Sequence, residues 1–149
     1  LPIYISGHSP KTNQRIAKYA TGMSVAFSHL NNSYKEILDP LLPYLDKEGR
    51  DISEIDRQFS TILMVARTHE EAISKAKNSW VAKKRGARDP DALLQKLLVG
   101  TPEEITHRIK TLEEQGMTHC VPSNLLVNTF EDALEQVQMF AEEVMPNFR

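Results

Sequence analysis

The chain has few of the residues that could cross-link it or fix it in a membrane. Cys120 is its only cysteine, so no disulfide can form within the chain, and a reducing, cytoplasmic location is expected. No apolar run approaches the ~20 residues needed to span a bilayer. No signal peptide is recognisable either. The sequence therefore predicts no membrane partner.

An excess of charge of one sign is also missing. The formal net charge is −2, from 18 basic and 20 acidic side chains. Domains that bind nucleic acid usually carry a basic excess, so no nucleic-acid partner is expected. No histidines, cysteines or carboxylates have the spacing of metal ligands, and no metal site is predicted. No nucleophile is paired with a base, so the sequence identifies no catalytic residue.

What the sequence does contain is a regular alternation of strand and helix patterns. Ile62 to Val65 form a continuous apolar run, which indicates a strand buried on both faces, as in a parallel sheet. Alternating strands and helices predict a parallel α/β fold with right-handed crossovers. The predicted strands, each followed by helix, cover residues 2–6, 23–28, 59–66 and 118–121.

Two helix boundaries are strongly marked. Pro40 interrupts an apolar helical stripe, and a kink or restart is expected there because proline has no N–H to donate. Thr101, Pro102 and Glu104 form a helix start, with Thr101 as N-cap and Glu104 completing a capping box.

Apolar spacing also predicts which side chains face the core. A helix over about residues 70–84 is expected to turn Trp80 and Val81 inward. Leu98 is assigned to a short amphipathic helix that Gly100 ends. In the last helix, Leu134 and Val137 are expected to be buried.

Three stretches carry a resemblance to a known family. They are residues 2–10 (Pro-Ile-Tyr-Ile-Ser-Gly-His-Ser-Pro), residues 99–104 (Val-Gly-Thr-Pro-Glu-Glu) and residues 140–149 at the end of the chain. Together they resemble the C-terminal half of the bacterial luciferase-like family, which includes FMN-dependent monooxygenases and coenzyme F420-dependent oxidoreductases. The resemblance implies four parallel βα units, strands 5–8 and helices 5–8 of a TIM (β/α)8 barrel, over residues 1–149 with no second domain. A complete barrel needs ~250 residues.

The turn after the first predicted strand is the main candidate site. Active sites of barrels lie at the C-terminal ends of the strands. Ser6, Gly7, His8 and Ser9 form such a turn and lead directly into the helix that begins at Pro10. The N–H groups and dipole at a helix N-terminus suit a phosphate. The resemblance implies that this turn holds the phosphate of FMN or coenzyme F420, although His8 departs from the small residue expected there. The alternative is that Gly7 only permits a tight turn.

Other polar residues are weaker candidates. His29, Ser123 and Asn124 follow predicted strands and are candidates for contact with a substrate; a surface-loop role is the alternative for His29. The basic cluster of residues 83–85 with Arg88 is either a solvated loop or a lid that meets an anionic substrate or cofactor tail.

The resemblance predicts that the chain is part of a coenzyme F420- or FMN-dependent oxidoreductase or monooxygenase that acts on a small organic substrate. The cofactor would carry most of the chemistry. Most substrate-facing groups would belong to the absent first four strands, so the chain alone is expected to be inactive. An isolated half-barrel exposes sheet edges and apolar surface, so the chain is expected to pair with a partner. Its expected partner is the N-terminal half of the barrel or a second copy, in a homo-oligomer. The alternatives are a non-catalytic half-barrel that binds a flavin or another phosphate ligand, and a flavodoxin-like domain.

Overall fold

The computed structural model describes residues 1–29, 33–85 and 89–148. Within those ranges the chain forms five strands and eight α-helices. The strands are β1 (Tyr4–Ser6), β2 (Gly22–Ala26), β3 (Asp56–Val65), β4 (Leu98–Gly100) and β5 (His119–Leu125). The helices are α1 (Pro10–Tyr19), α2 (Lys35–Leu38), α3 (Leu42–Lys47), α4 (His69–Asn78), α5 (Trp80–Arg85), α6 (Pro90–Leu94), α7 (Pro102–Glu114) and α8 (Phe130–Met139).

The chain divides into two compact units. The first contains residues 1–60 and 111–121, and the second contains residues 61–110 and 122–149. Strands β3 and β5 and helix α7 pass from one unit to the other, so each unit holds a part of each.

In the first unit, β1, β2 and the first half of β3 are paired in parallel. Tyr4 is opposite Gly22, and Ala26 is opposite Ser60. The Thr118 N–H, just before β5, donates to a carbonyl of β3. Helix α1 connects β1 to β2 and buries its apolar face, as the sequence predicts. The buried α1 residues are Asn13, Ile16 and Ala17.

In the second unit, β4 pairs in parallel with the end of β3, with Leu63 opposite Leu98. The Leu126 N–H, just after β5, donates to the Leu63 carbonyl at 2.9 Å. The apolar run of β3 is buried throughout, with Val65 fully covered. The predicted parallel α/β architecture is therefore confirmed. The helical assignment of Leu98 is wrong, because this residue lies in the additional strand β4.

Both marked helix boundaries are confirmed. Helix α2 ends at Leu38, a 3₁₀ turn covers Asp39–Leu41, and α3 begins at Leu42. At the start of α7, the Glu104 N–H donates to Thr101 Oγ1 at 3.3 Å, and the Thr101 N–H donates to the Glu104 carboxylate at 2.9 Å. These two bonds are the reciprocal pair of a capping box.

Some predicted core residues are exposed, Trp80, Leu134 and Val137 among them. Ser79 is extended, and because it divides the predicted helix into α4 and α5, Trp80 is turned outward and is 62% exposed. In α8, Leu134 and Val137 are each 56% exposed, whereas Gln136 and Met139 face the core. Apolar spacing alone selected the wrong face of α8, because a polar residue, Gln136, lies on the face that is buried.

Among the described residues, no helix is both long and apolar enough to cross a membrane.

Candidate functional site

The turn between β1 and α1 brings Ser6, Gly7, His8 and Ser9 together, as predicted. Gly7 has φ +111°, a backbone conformation that residues with a side chain rarely adopt. The Ser6 hydroxyl donates to the Ser24 carbonyl of β2 at 3.1 Å, which fixes the end of β1. The chain therefore leaves the strand at a glycine and enters the helix within three residues.

Ser9 begins α1 as its N-cap. Its Oγ accepts a hydrogen bond from the Thr12 N–H at 3.2 Å and lies 2.8 Å from Thr12 Oγ1. Pro10 occupies the first helical turn, where its missing N–H leaves no donor unpaired. The result is two hydroxyl groups in contact at the positive end of the helix dipole.

The electrostatic surroundings of this turn favour an anion. The first turn of α1 contains no acidic residue, and Lys11 is exposed there. His8 and Ser9 are also exposed, so a ligand can approach the turn from solvent. Hydroxyl donors, the positive end of a helix dipole and a nearby cation are features that bind phosphate at helix N-termini.

Thr12 is the member of this site that the sequence reasoning missed. A signal was available, since Ser9 and Thr12 have the i, i+3 spacing of a side chain at an N-cap and its partner in the first turn. The structure adds that a side chain at Gly7 would meet Thr12 at 3.5 Å. Thr12 therefore lies directly beneath the glycine turn.

The weaker candidates do not belong to this turn. Ser123 and Asn124 lie within β5 in the second unit, whereas the sequence placed them after the strand. Strand β5 extends four residues further at its end than residues 118–121 suggested. The Ser123 hydroxyl donates to the Thr61 carbonyl at 3.0 Å, so it takes part in strand pairing.

Three of the predicted residues lie wholly or partly outside the described part of the structure. His29 ends a 3₁₀ turn after β2, and its side chain lies outside the described part of the structure. Arg88 and the side chain of Arg85, from the basic cluster, also lie outside it.

The second unit has a polar cluster where α4 ends and α5 begins. Asn128 Oδ1 accepts from the Trp80 N–H at 2.9 Å, and Asn128 Nδ2 donates to the Asn78 carbonyl at 3.3 Å. Lys84 Nζ lies 4.6 Å from the centre of the Trp80 ring. Asn128 thus fixes the start of α5, and Lys84 covers one side of the exposed indole.

Metal-binding geometry is missing from the described residues. No group of three or more histidine, cysteine, aspartate or glutamate side chains is arranged there to hold a metal ion. A close histidine–carboxylate pair, His69 Nδ1 and Glu104 at 3.0 Å, joins the start of α4 to the capping box of α7.

Comparison with known proteins identifies the family. The model of the luciferase-like monooxygenase family matches residues 1–119. The chain therefore belongs to this family.

Solved structures similar to the chain are barrel enzymes of about twice its length. A coenzyme F420-dependent tetrahydromethanopterin reductase from Methanopyrus kandleri is 17% identical, with a TM-score of 0.64; the match covers 100% of this chain and 51% of the other. An F420-dependent secondary alcohol dehydrogenase in complex with an F420–acetone adduct is 18% identical (TM-score 0.68, 100% and 49% covered). The monooxygenase RslO1 from Streptomyces bottropensis is 19% identical (TM-score 0.70, 99% and 48% covered).

At these identities the likeness concerns the fold, and the chain spans about half the length of the proteins it matches. The comparison with curated proteins gave no match. Half of a luciferase-like (β/α)8 barrel, as predicted from the sequence, is the architecture that the matches support.

Proposed function

We propose that this chain supplies the cofactor-phosphate site of a coenzyme F420- or flavin-dependent oxidoreductase or monooxygenase. The observation that carries the proposal is the turn at Gly7, which ends β1 and delivers the chain directly into the N-terminus of α1 with Ser9 and Thr12 in contact. Family membership supports the class of enzyme. Neighbours that were solved with an F420–acetone adduct and, for a riboflavin lyase, with modified FMN support the class of cofactor.

The chemistry of the site follows from its donors. The hydroxyls of Ser9 and Thr12 share one hydrogen bond, so one of their two protons is left for a ligand. When Thr12 Oγ1 donates to Ser9 Oγ, Ser9 Oγ accepts from it and from the Thr12 N–H, and its own proton can go to a phosphate oxygen. The positive end of the α1 dipole and the charge of Lys11 lower the energy of a bound anion. A glycine at position 7 permits the main chain to approach the phosphate closely.

The bound cofactor would supply the redox chemistry, and this chain would fix the cofactor's position. The phosphate end of the cofactor is remote from its reacting ring, so the energy of binding the phosphate would serve to orient the ring. The residues that face the substrate would come mainly from the remaining half of the barrel. We therefore propose a catalytic unit of this chain and that half, covalently joined or associated.

The test is a fluorescence titration of FMN and of coenzyme F420 into the complete protein that contains this chain. Replacing Ser9→Ala removes one hydroxyl donor to a charged group, a loss worth about 1.5–3 kcal/mol, so affinity should fall by about tenfold or more. Affinity for riboflavin, which has no phosphate, should not change.

Asp51→Ala is the matched control. Asp51 is also an N-cap, with Oδ1 accepting from the Ser53 N–H at 2.8 Å, but it precedes β3 and so lies away from the carboxyl ends of the strands. The Asp51→Ala substitution should lower the stability of the protein without changing its affinity for the cofactor. If Ser9→Ala and Asp51→Ala bind both cofactors as wild type does, the phosphate site is elsewhere. Cofactor binding without any substrate turnover would favour the non-catalytic alternative.

A further inference from the structure

Helix α1 presents a basic face to solvent. Lys11, Arg15 and Lys18 have the spacing that places side chains on one face of a helix, and all three are exposed. Helix α1 contains no acidic residue, and the first acidic residue of the chain is Glu36. Within the described part of the chain, none of the three cations pairs with a carboxylate. The charge of this face is therefore not neutralised by the protein itself.

The three cations are not needed to hold α1 in place. Ala17 is buried against the core, and Arg50 Nη1 donates to the Ala17 and Ala20 carbonyls at 3.0 and 2.9 Å, which satisfies carbonyls at the end of the helix. Lys18 Nζ lies 5.3 Å from the centre of the Tyr19 ring. A cation–π contact positions the ammonium group without removing its charge. The positive charges of the face are therefore available to a ligand.

The basic face begins at the proposed phosphate site. Lys11 lies in the first turn of α1, two residues after the Ser9 N-cap. At a rise of about 1.5 Å per residue, Lys18 lies about 10 Å further along the helix axis. The helices of a barrel lie outside its sheet, so this face is turned away from the mouth of the barrel. A ligand whose phosphate occupies the turn can meet Arg15 and Lys18 only if it continues outward beyond that phosphate over a comparable distance.

We infer that the basic face of α1 binds a chain of negative charges that continues beyond the phosphate of the cofactor, which selects coenzyme F420 over FMN as the ligand. Coenzyme F420 extends past its phosphodiester into a chain of glutamates, whereas FMN ends at its phosphate. Carboxylates spaced along a flexible chain are complementary to cations spaced along a helix, and no acidic side chain of α1 competes for those cations. The inference rests on the proposed function, because it requires the phosphate to occupy the turn.

The experiment compares three ligands by fluorescence titration into the complete protein: F420 with its glutamate chain, F420 from which the glutamates have been removed, and FMN. Replacing Arg15→Gln and Lys18→Gln together should weaken binding of the chain-bearing F420 by about three- to tenfold, because exposed ion pairs are individually weak. Affinity for the two ligands without glutamates should not change, which also shows that the double variant is folded. The difference should disappear at about 1 M salt, where the Debye length is about 3 Å.

Lys35→Gln with Lys47→Gln is the matched control, because both lysines are exposed on other helices of the first unit and their loss changes the net charge by the same amount. This control should bind all three ligands as wild type does. Equal affinity of wild type for the two forms of F420, or an equal loss in the two double variants, would overturn the inference and leave the phosphate site intact. If none of the three ligands binds, the proposed function fails and the inference fails with it.

Discussion

Gln136 of α8 satisfies both main-chain groups of Val65 at the end of β3. Its Oε1 accepts from the Val65 N–H at 2.6 Å, and its Nε2 donates to the Val65 carbonyl at 2.7 Å. Val65 is the last residue of β3, and its side chain is fully buried. A buried side-chain amide thus does here what a neighbouring strand would otherwise do.

The first prediction concerns this pair of bonds. Gln136→Leu should lower the free energy of unfolding by about 2–4 kcal/mol, because two buried main-chain groups lose their partners. Urea denaturation measures the change. Gln138→Leu, on the exposed side of the same helix, should change stability by less than about 0.5 kcal/mol. Equal effects of the two substitutions would show that the Gln136 bonds contribute little.

The second prediction concerns the backbone at Gly7. Gly7→Ala should cost about 1–3 kcal/mol through backbone strain at φ +111°, and it should also weaken binding of FMN or coenzyme F420. Gly49→Ala is the control, since Gly49 has φ +67° and open space around it. It should cost about 1 kcal/mol and leave cofactor affinity unchanged. Paired thermal unfolding and cofactor titration distinguish strain from loss of the site.

The third prediction follows from the capping box of α7. The Thr101 N–H, and more weakly His69, hold the pKa of the Glu104 carboxyl below its usual value. Because the folded-state pKa is depressed, this stabilisation is complete above the ordinary glutamate pKa of about 4.3 and is lost as the pH falls through the folded-state pKa. The stability difference between wild type and Glu104→Gln should therefore be constant near neutral pH and shrink below about pH 4.5. Glu114→Gln, at the other end of α7, controls for the loss of one negative charge.

The sequence predicted the elements whose signals are local. Burial of β3 followed from its continuous apolar run, and the capping box at Thr101 followed from residue types at a fixed spacing. The turn at Gly7 was located for the same reason. Thr12 was missed because its role depends on a contact with Ser9 as well as on its position in the helix.

Other features depend on tertiary partners that no local pattern encodes. The buried face of α8 was assigned wrongly because Gln136 reads as a surface residue until Val65 is seen beside it. Strand β4 was missed because a three-residue strand forms only where Leu63 offers a free edge to Leu98. Trp80 was placed in the core because one extended residue, Ser79, is enough to rotate the following helix.

The last prediction concerns Cys120, whose thiol lies in β5. Burial raises the pKa of this thiol to about 12. Only the thiolate reacts with Ellman's reagent, and at pH 8 a group with that pKa is ionised to about one part in 10⁴. The native chain should therefore react at least about 100-fold more slowly than the urea-unfolded chain, whose thiol has an ordinary pKa of about 8.5. The native rate should still be rising with pH at pH 10. A plateau near pH 9 would mean that the thiol is solvated and that β5 opens in solution.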